Sequence, residues 1–473
     1  MSKLLSMLME EDEYKGLTFT AQSANATIDC VKDGIADPVI YYSRDGKNWT
    51  AWGELDLNPD TNQDFNYQAE KAITLTNIGD KVYFKGDNPN GIGSGSDDTS
   101  TGDMNFIMTG TIAASGNINS LLDNGDGSTI TEIPNDYCFY DLFYNCSSLT
   151  TPPELPATIL KPGCYRRMFH SCTNLTVAPV LPALTIRGLA YMQMFQNCTS
   201  LTIAPSLPGT SISSESYQQM FYGCTSLTTP PSAINTTSFG YSSCAAMFSG
   251  CSALTSTPAI TVTEATGQYA LAQMFQDCTS LTNASNITLS ATSFGSTHIY
   301  SRMFLNCSSL TSAPTSLPAT TLTTYCYNEM FRGCSSLTTA PSISATTVAQ
   351  YCCSYMFEGC NALVNGPSSL LATTTANYCY QYMFQNCSSL VNAPDIYFSG
   401  TTGRTSRCQY MFRGCSSLQY IKLVNYTATI TGTNGFTNWV QNVGSGGTIY
   451  YKGSTTTQGT SAIPTGWTKV SSW

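Results

Sequence analysis

The chain has 473 residues, of which only 11% are charged, against about 25% in ordinary soluble domains, and its formal net charge is −10. Residues 1–110 carry that whole imbalance, with 18 acidic and 8 basic side chains, while the rest of the chain balances at 12 and 12. A neutral surface rich in Ser, Thr, Asn, Gln and Tyr has no electrostatic footprint for nucleic acid or an anionic membrane, which excludes both as main partners. At this length two or three domains are expected.

In chain order, residues 1–14 place Leu4, Leu5, Met7, Leu8 and Met9 ahead of Glu10, Glu11, Asp12 and Glu13. The apolar part is too short for a secretory signal, and no later stretch is long enough to cross a membrane, so neither export signal nor membrane insertion is expected. Read functionally, the five apolar residues form an anchor that docks into a larger assembly; the plainer reading is a solvated chain end. Residues 15–85 alternate strand and turn signals, such as Val39-Ile40-Tyr41-Tyr42 before Arg44-Asp45-Gly46-Lys47, and predict a small antiparallel β domain. Residues 86–104 read as a Gly/Asp-rich linker, since the carboxylate spacing does not fit a calcium loop ending in Glu. Residues 105–135 are expected to cap a solenoid, 136–420 to form its repeats and 421–473 to close it.

The repeats carry the strongest signal. A motif of the form Met-Phe-x-x-Cys-x-x-Leu recurs eleven times between Cys146 and Cys415 at intervals of 26 to 29 residues. Phe169, Cys172 and Leu175 are one instance and Phe331, Cys334 and Leu337 another. A unit this short cannot bury its apolar side alone, so neighbours must stack. Cys164, Met168, Phe169 and Cys172 recur at helical spacing and predict a short helix in each unit. Nine of the eleven units have proline seven residues after the cysteine, which predicts a short strand ending there. Asn or Gly commonly precedes the cysteine, as at Asn145, Asn197, Asn306, Asn386 and Gly333, and both tolerate a left-handed backbone, so this position is read as a helix stop and no glycosylation is predicted. The fold expected is therefore a repeat solenoid of about eleven units, each a short strand plus a short helix, preceded by a small β-rich domain.

Twenty cysteines suggest disulfides until their places are read. Eleven form the repeat column. Cys138, Cys164, Cys244, Cys326, Cys352, Cys379 and Cys408 form a second column seven or eight residues earlier, where Ala190, Ser216, Ala270 and Ile299 stand in other units. A place shared by Cys, Ala, Ser and Ile is a small buried slot, so reduced core thiols are expected. The two histidines, His170 and His298, lie in different repeats and no Cys-x-x-Cys pair exists, so no metal or cofactor is expected. Tyr165, Tyr191, Tyr217, Tyr300, Tyr327 and Tyr380 recur seven residues before the repeat cysteine; they are the candidate glycan or receptor contacts, as rings that stack on sugar faces, with packing against neighbouring repeats as the plainer reading.

The run Cys-Tyr-x-x-Met-Phe-x-x-Cys-Ser-Ser-Leu-x-x-Ala-Pro at Cys379–Pro394 resembles the BspA-type leucine-rich repeat of surface proteins of Bacteroidales and of phages that infect them. The tail, with Ile449-Tyr450-Tyr451 and Pro464-Thr465-Gly466-Trp467, is similar to the terminal cap of such proteins. The resemblance implies adhesion. With no export signal expected, the favoured function is a structural virion protein (tail fibre, spike or head-surface fibre) that attaches to the bacterial host, with other virion proteins at its N-terminal region and a surface receptor or polysaccharide as partners. The alternative is an exported bacterial cell-surface adhesin. A fibre is usually a symmetric homo-oligomer, whereas a capped solenoid is self-sufficient as a monomer. Enzymatic function is not expected, because histidine is scarce and the repeats hold few acids.

Overall fold

The computed structural model describes residues 14–32, 38–52, 72–93, 104–398 and 406–473. Leu4, Leu5, Met7, Leu8 and Met9, with the anchor reading placed on them, lie outside those residues. The chain divides into two compact units, Met1–Pro208 and Gly209–Trp473.

The first unit begins as a β-sandwich. One sheet has the order β4 (Thr50–Ala51), β3 (Ile40–Ser43), β6 (Lys81–Gly86), β1 (Thr18–Ala21), β8 (Ile112–Ser115) and β9 (Leu149–Thr151); the other is β5 (Ile73–Leu75), β2 (Ala26–Lys32) and β7 (Met104–Thr109). Phe19 and Phe84 from the first sheet meet Phe106 from the second edge-on, at 5.1 and 5.6 Å, and form its apolar centre. The stretch 105–135, expected to cap the solenoid, supplies two strands of this sandwich. The cause is local: β8 pairs antiparallel with β1 on one side and parallel with β9, the first repeat strand, on the other. The Phe106 ring also lies parallel to Phe143 at 5.4 Å, and Phe143 to Phe169 at 5.5 Å, so the sandwich core runs directly into the repeat core.

The second unit stacks turns through parallel pairs. Ser316–Leu317 pairs with Ser342–Ile343, Thr321–Leu322 with Thr347–Val348, and the last sheet runs Ser369–Leu370, Asn392–Tyr397, Tyr420–Val424, Thr448–Tyr451, Thr468–Val470. Proline interrupts the pairing, because it cannot donate to a ladder, and Asn392–Tyr397 passes through Pro394 only with a break in its register. Ser312 bridges its neighbour two residues before Pro314, and pairing resumes at Ser316.

Where a short helix is expected in each unit, the structure has a run of turns; the described residues contain no α-helix. In Gly163–Cys172 the residues Gly163, Arg167 and Ser171 are left-handed, with φ of 62, 54 and 59°. Alternate N–H groups close turns locally, Arg166 to Gly163 O at 3.0 Å and His170 to Arg167 O at 2.9 Å. The intervening ones leave sideways, Arg167 N–H to Met192 O and Phe169 N–H to Met194 O, both at 2.9 Å. An α-helix would send all its N–H groups along its own axis and leave none for the next repeat. The left-handed character expected at Asn145, Asn197, Asn306 and Asn386 is present, with φ of 59 to 62°, but it repeats every four residues inside the turn run instead of ending a helix.

The core columns are periodic. In the second unit Phe304, Phe331, Phe357 and Phe384 stack nearly parallel at 5.4 to 5.6 Å. Trp439 covers Phe412 at 6.0 Å. Phe169, Cys172, Leu175, Phe331, Cys334 and Leu337 are all 0% exposed. All twenty cysteines are thiols, with none in a disulfide. The thiols of the repeat column act as donors: Cys172 Sγ donates to Phe143 O at 3.0 Å, and Cys334 Sγ to Phe304 O at 3.1 Å. Each is a small apolar side chain with one weak donor, which suits a buried carbonyl beside aromatic rings.

Candidate recognition surface

The six tyrosines expected to meet a ligand do not reach the surface. Tyr165, Tyr191, Tyr217 and Tyr300 are 1% exposed, as is Tyr327, and Tyr380 is 2% exposed. Their faces are occupied: Tyr165 lies between Phe139 and Tyr191, at 5.8 and 6.1 Å, and Tyr300 stacks on Tyr327 at 6.0 Å. Burial pushes the Tyr165, Tyr327 and Tyr380 phenols well above their ordinary range. The column is interior because the residue seven before the cysteine points to the same side as Phe and Cys; Phe139, Cys244, Leu271, Cys353 and Cys408 occupy it elsewhere and are buried too.

A different aromatic column faces solvent. Tyr269, His298, Tyr325, Tyr351 and Tyr378 stand nine residues before their cysteines. Consecutive rings are 4.7, 4.7, 5.0 and 4.8 Å apart, the last three pairs nearly parallel. Tyr269 is 37% exposed and the other four are partly exposed. All five have a left-handed backbone, with φ of 56 to 61°. That conformation costs about 1–2 kcal/mol in an L-residue with a side chain, and a ring pair returns about 0.5–1.5 kcal/mol. The two roughly cancel, so the stack adds little to stability. Burial and the nearby Arg302 hold His298 below its ordinary range, so it is uncharged at neutral pH.

A shorter column stands five residues before the cysteine. Tyr355, Tyr382 and Tyr410 stack at 4.5 and 4.9 Å, with Arg332 5.4 Å from the Tyr355 ring and Arg413 5.4 Å from the Tyr410 ring. Arg302, Glu329, Arg332 and Glu358 form a chain of ion pairs at 2.9, 3.0 and 2.7 Å. Burial raises the Glu358 carboxyl despite Arg332 beside it. These charges mainly satisfy one another.

Two shallow clefts lie among the strands. One, of about 310 Å³, is lined by Asn365, Ser368, Asn392, Asp395 and Tyr420. Its carboxylate accepts from Lys422 Nζ at 2.7 Å and from the Tyr420 hydroxyl at 3.2 Å. The other, of about 350 Å³, is lined by Ser285, Thr288, Ser290, Thr315 and Ser316, where Ser285 interrupts the proline column. Among the described residues no group of three His, Cys, Asp or Glu side chains is placed to hold a metal ion, and no helix is long and apolar enough to cross a membrane.

Residues 297–441 match the BspA type leucine rich repeat region, in six copies. Residues 189–317 match a family described as a Mycoplasma protein of unknown function. Among solved structures, a leucine-rich repeat protein from Bacteroides ovatus is similar at 17% identity over 66% of this chain and 81% of that one, with a TM-score of 0.36. A leucine rich cell surface protein from Faecalibacterium prausnitzii is similar at 22% identity over 58% and 78%, with a TM-score of 0.26. No curated protein matches the chain.

Proposed function

We propose that this leucine-rich-repeat protein is a non-catalytic attachment protein exposed on a phage virion, as a tail fibre, spike or head-surface fibre, that holds a polymer or receptor on the bacterial surface. Six BspA-type repeats support the adhesive part, since the repeat resembles that of bacterial surface adhesins. The observation that supports the virion part is where the sulfur sits. Twenty cysteine thiols, with a repeat column built as donors to carbonyls, suit a chain folded in a reducing cytoplasm and exposed only afterwards, by lysis. An exported chain would meet an oxidising compartment before its turns had closed over those thiols. In this reading other virion proteins hold the N-terminal region, and the repeats face the host.

The second reading, a bacterial cell-surface adhesin, draws on the same six repeats. Peptide mass spectrometry of a source culture separated into purified particles and outer membrane distinguishes the two. Stoichiometric peptides in the particles are expected; enrichment in the membrane would replace the virion with the bacterial surface.

A further inference from the structure

We propose that the exposed column Tyr269, His298, Tyr325, Tyr351 and Tyr378 is a binding strip for a neutral, linear polysaccharide laid along the direction in which the turns stack. This deepens the attachment reading and rests on it.

The first support is regularity. Four successive ring spacings of 4.7 to 5.0 Å present an aromatic ring, a phenol at four of the five places, at nearly one interval. A ligand that repeats can meet each ring in the same way, and weak contacts then add along its length. The second is the kind of surface offered. The ring faces are spent on one another, so what meets solvent is ring edge and phenol oxygen. Edges are the positive part of an aromatic ring and phenols both donate and accept, which is what a row of sugar hydroxyls requires.

The third is charge. Burial and the nearby Arg302 hold His298 below its ordinary range, and Arg302, Glu329, Arg332 and Glu358 pair with one another. Nothing in the column selects an anion or a cation. The strip is a single file of rings, and neither of the two clefts described above is lined by any of them, so neither gives it the pocket that an anchoring side chain of a protein partner would fill. The last support is that the fold does not ask for rings here. Gly163, Leu189, Glu215, Ser242 and Ser406 occupy the same left-handed place in other turns.

The experiment is affinity electrophoresis of the full chain in gels cast with glucomannan, xyloglucan or dextran, with alginate as the anionic control. It is run beside a binding assay of the same protein on host cells. The variant is the triple Tyr325→Phe, Tyr351→Phe, Tyr378→Phe, which keeps the stack and removes the hydroxyls. Retardation in a neutral gel is expected, weakened by about tenfold or more in the triple variant, with the melting temperature unchanged. Equal retardation of variant and parent overturns the proposal, as does retardation by alginate alone. If the parent binds cells but no neutral gel retards it, the strip is not a polysaccharide site, a protein receptor takes its place, and the attachment reading stands. If it binds neither, both fall.

Discussion

Tyr325 and Tyr327 are two residues apart in one turn, and both send their N–H sideways, to Gln350 O at 3.3 Å and Cys352 O at 2.9 Å. Yet Tyr327 is 1% exposed, while Tyr325 lies in the solvent-facing stack. The two also differ in backbone torsion. Tyr325 is left-handed, with φ of 60°, and this swings its side chain out of the apolar file that Tyr327 shares with Phe331. One column fills the turns, and the other stands outside that filling.

That contrast can be broken from either side. The largest effect belongs to the interior: Phe331→Ala, at a 0% exposed ring stacked on both neighbours, is expected to cost about 3–5 kcal/mol in urea denaturation. A loss below about 1 kcal/mol would mean the file is not the core. Next is Tyr300→Phe. The Tyr300 hydroxyl is buried without a protein partner, so its removal is expected to be neutral or to stabilise by up to about 1 kcal/mol; marked destabilisation would show the phenol is used.

On the exposed side, Tyr351→Gly exchanges lost stacking for relief at a left-handed residue and is expected to change stability by less than about 0.5 kcal/mol. The smallest effect is one of pH. His298 has a folded pKa below its ordinary 6.5, so the unfolded chain binds the proton more readily just below that value. Its part in stability is complete above pH 6.5 and is lost as pH falls towards the folded pKa. His298→Gln is expected to flatten the decline in denaturation midpoint between about pH 7.5 and 5; an identical slope would show that the ring stays solvated in the stack.

The period, the apolar file and the parallel stacking are legible in the sequence because side-chain burial writes them there at fixed intervals. The turn run is not, because Cys164, Met168, Phe169 and Cys172 have the spacing of a helix whichever way their N–H groups point. Only one of its left-handed places carries a signal, the Asn or Gly before the cysteine. The places four and eight residues earlier hold Arg167 and Gly163, Glu329 and Tyr325, or Tyr382 and Tyr378, and residues that diverse give no warning. The choice of tyrosine column failed for a reason the residues do contain. The column seven before the cysteine accepts Phe139, Leu271 and Cys353, all apolar, whereas the one nine before accepts Glu215 and Ser406. Tolerance of a charge marks the surface.

The thiol file also decides what this protein is to a chemist holding an alkylating reagent. A sulfur that donates to a carbonyl inside the stack is no nucleophile: burial lifts Cys172, Cys307 and Cys334 well above the ordinary thiol range and keeps their thiolates out of reach. Of twenty cysteines only Cys30, on the middle strand of the three-stranded sheet, is partly exposed. A chain that is unusually rich in sulfur is therefore, while folded, shielded at nineteen of its twenty thiols, and Cys30 is the one through which air would join two copies.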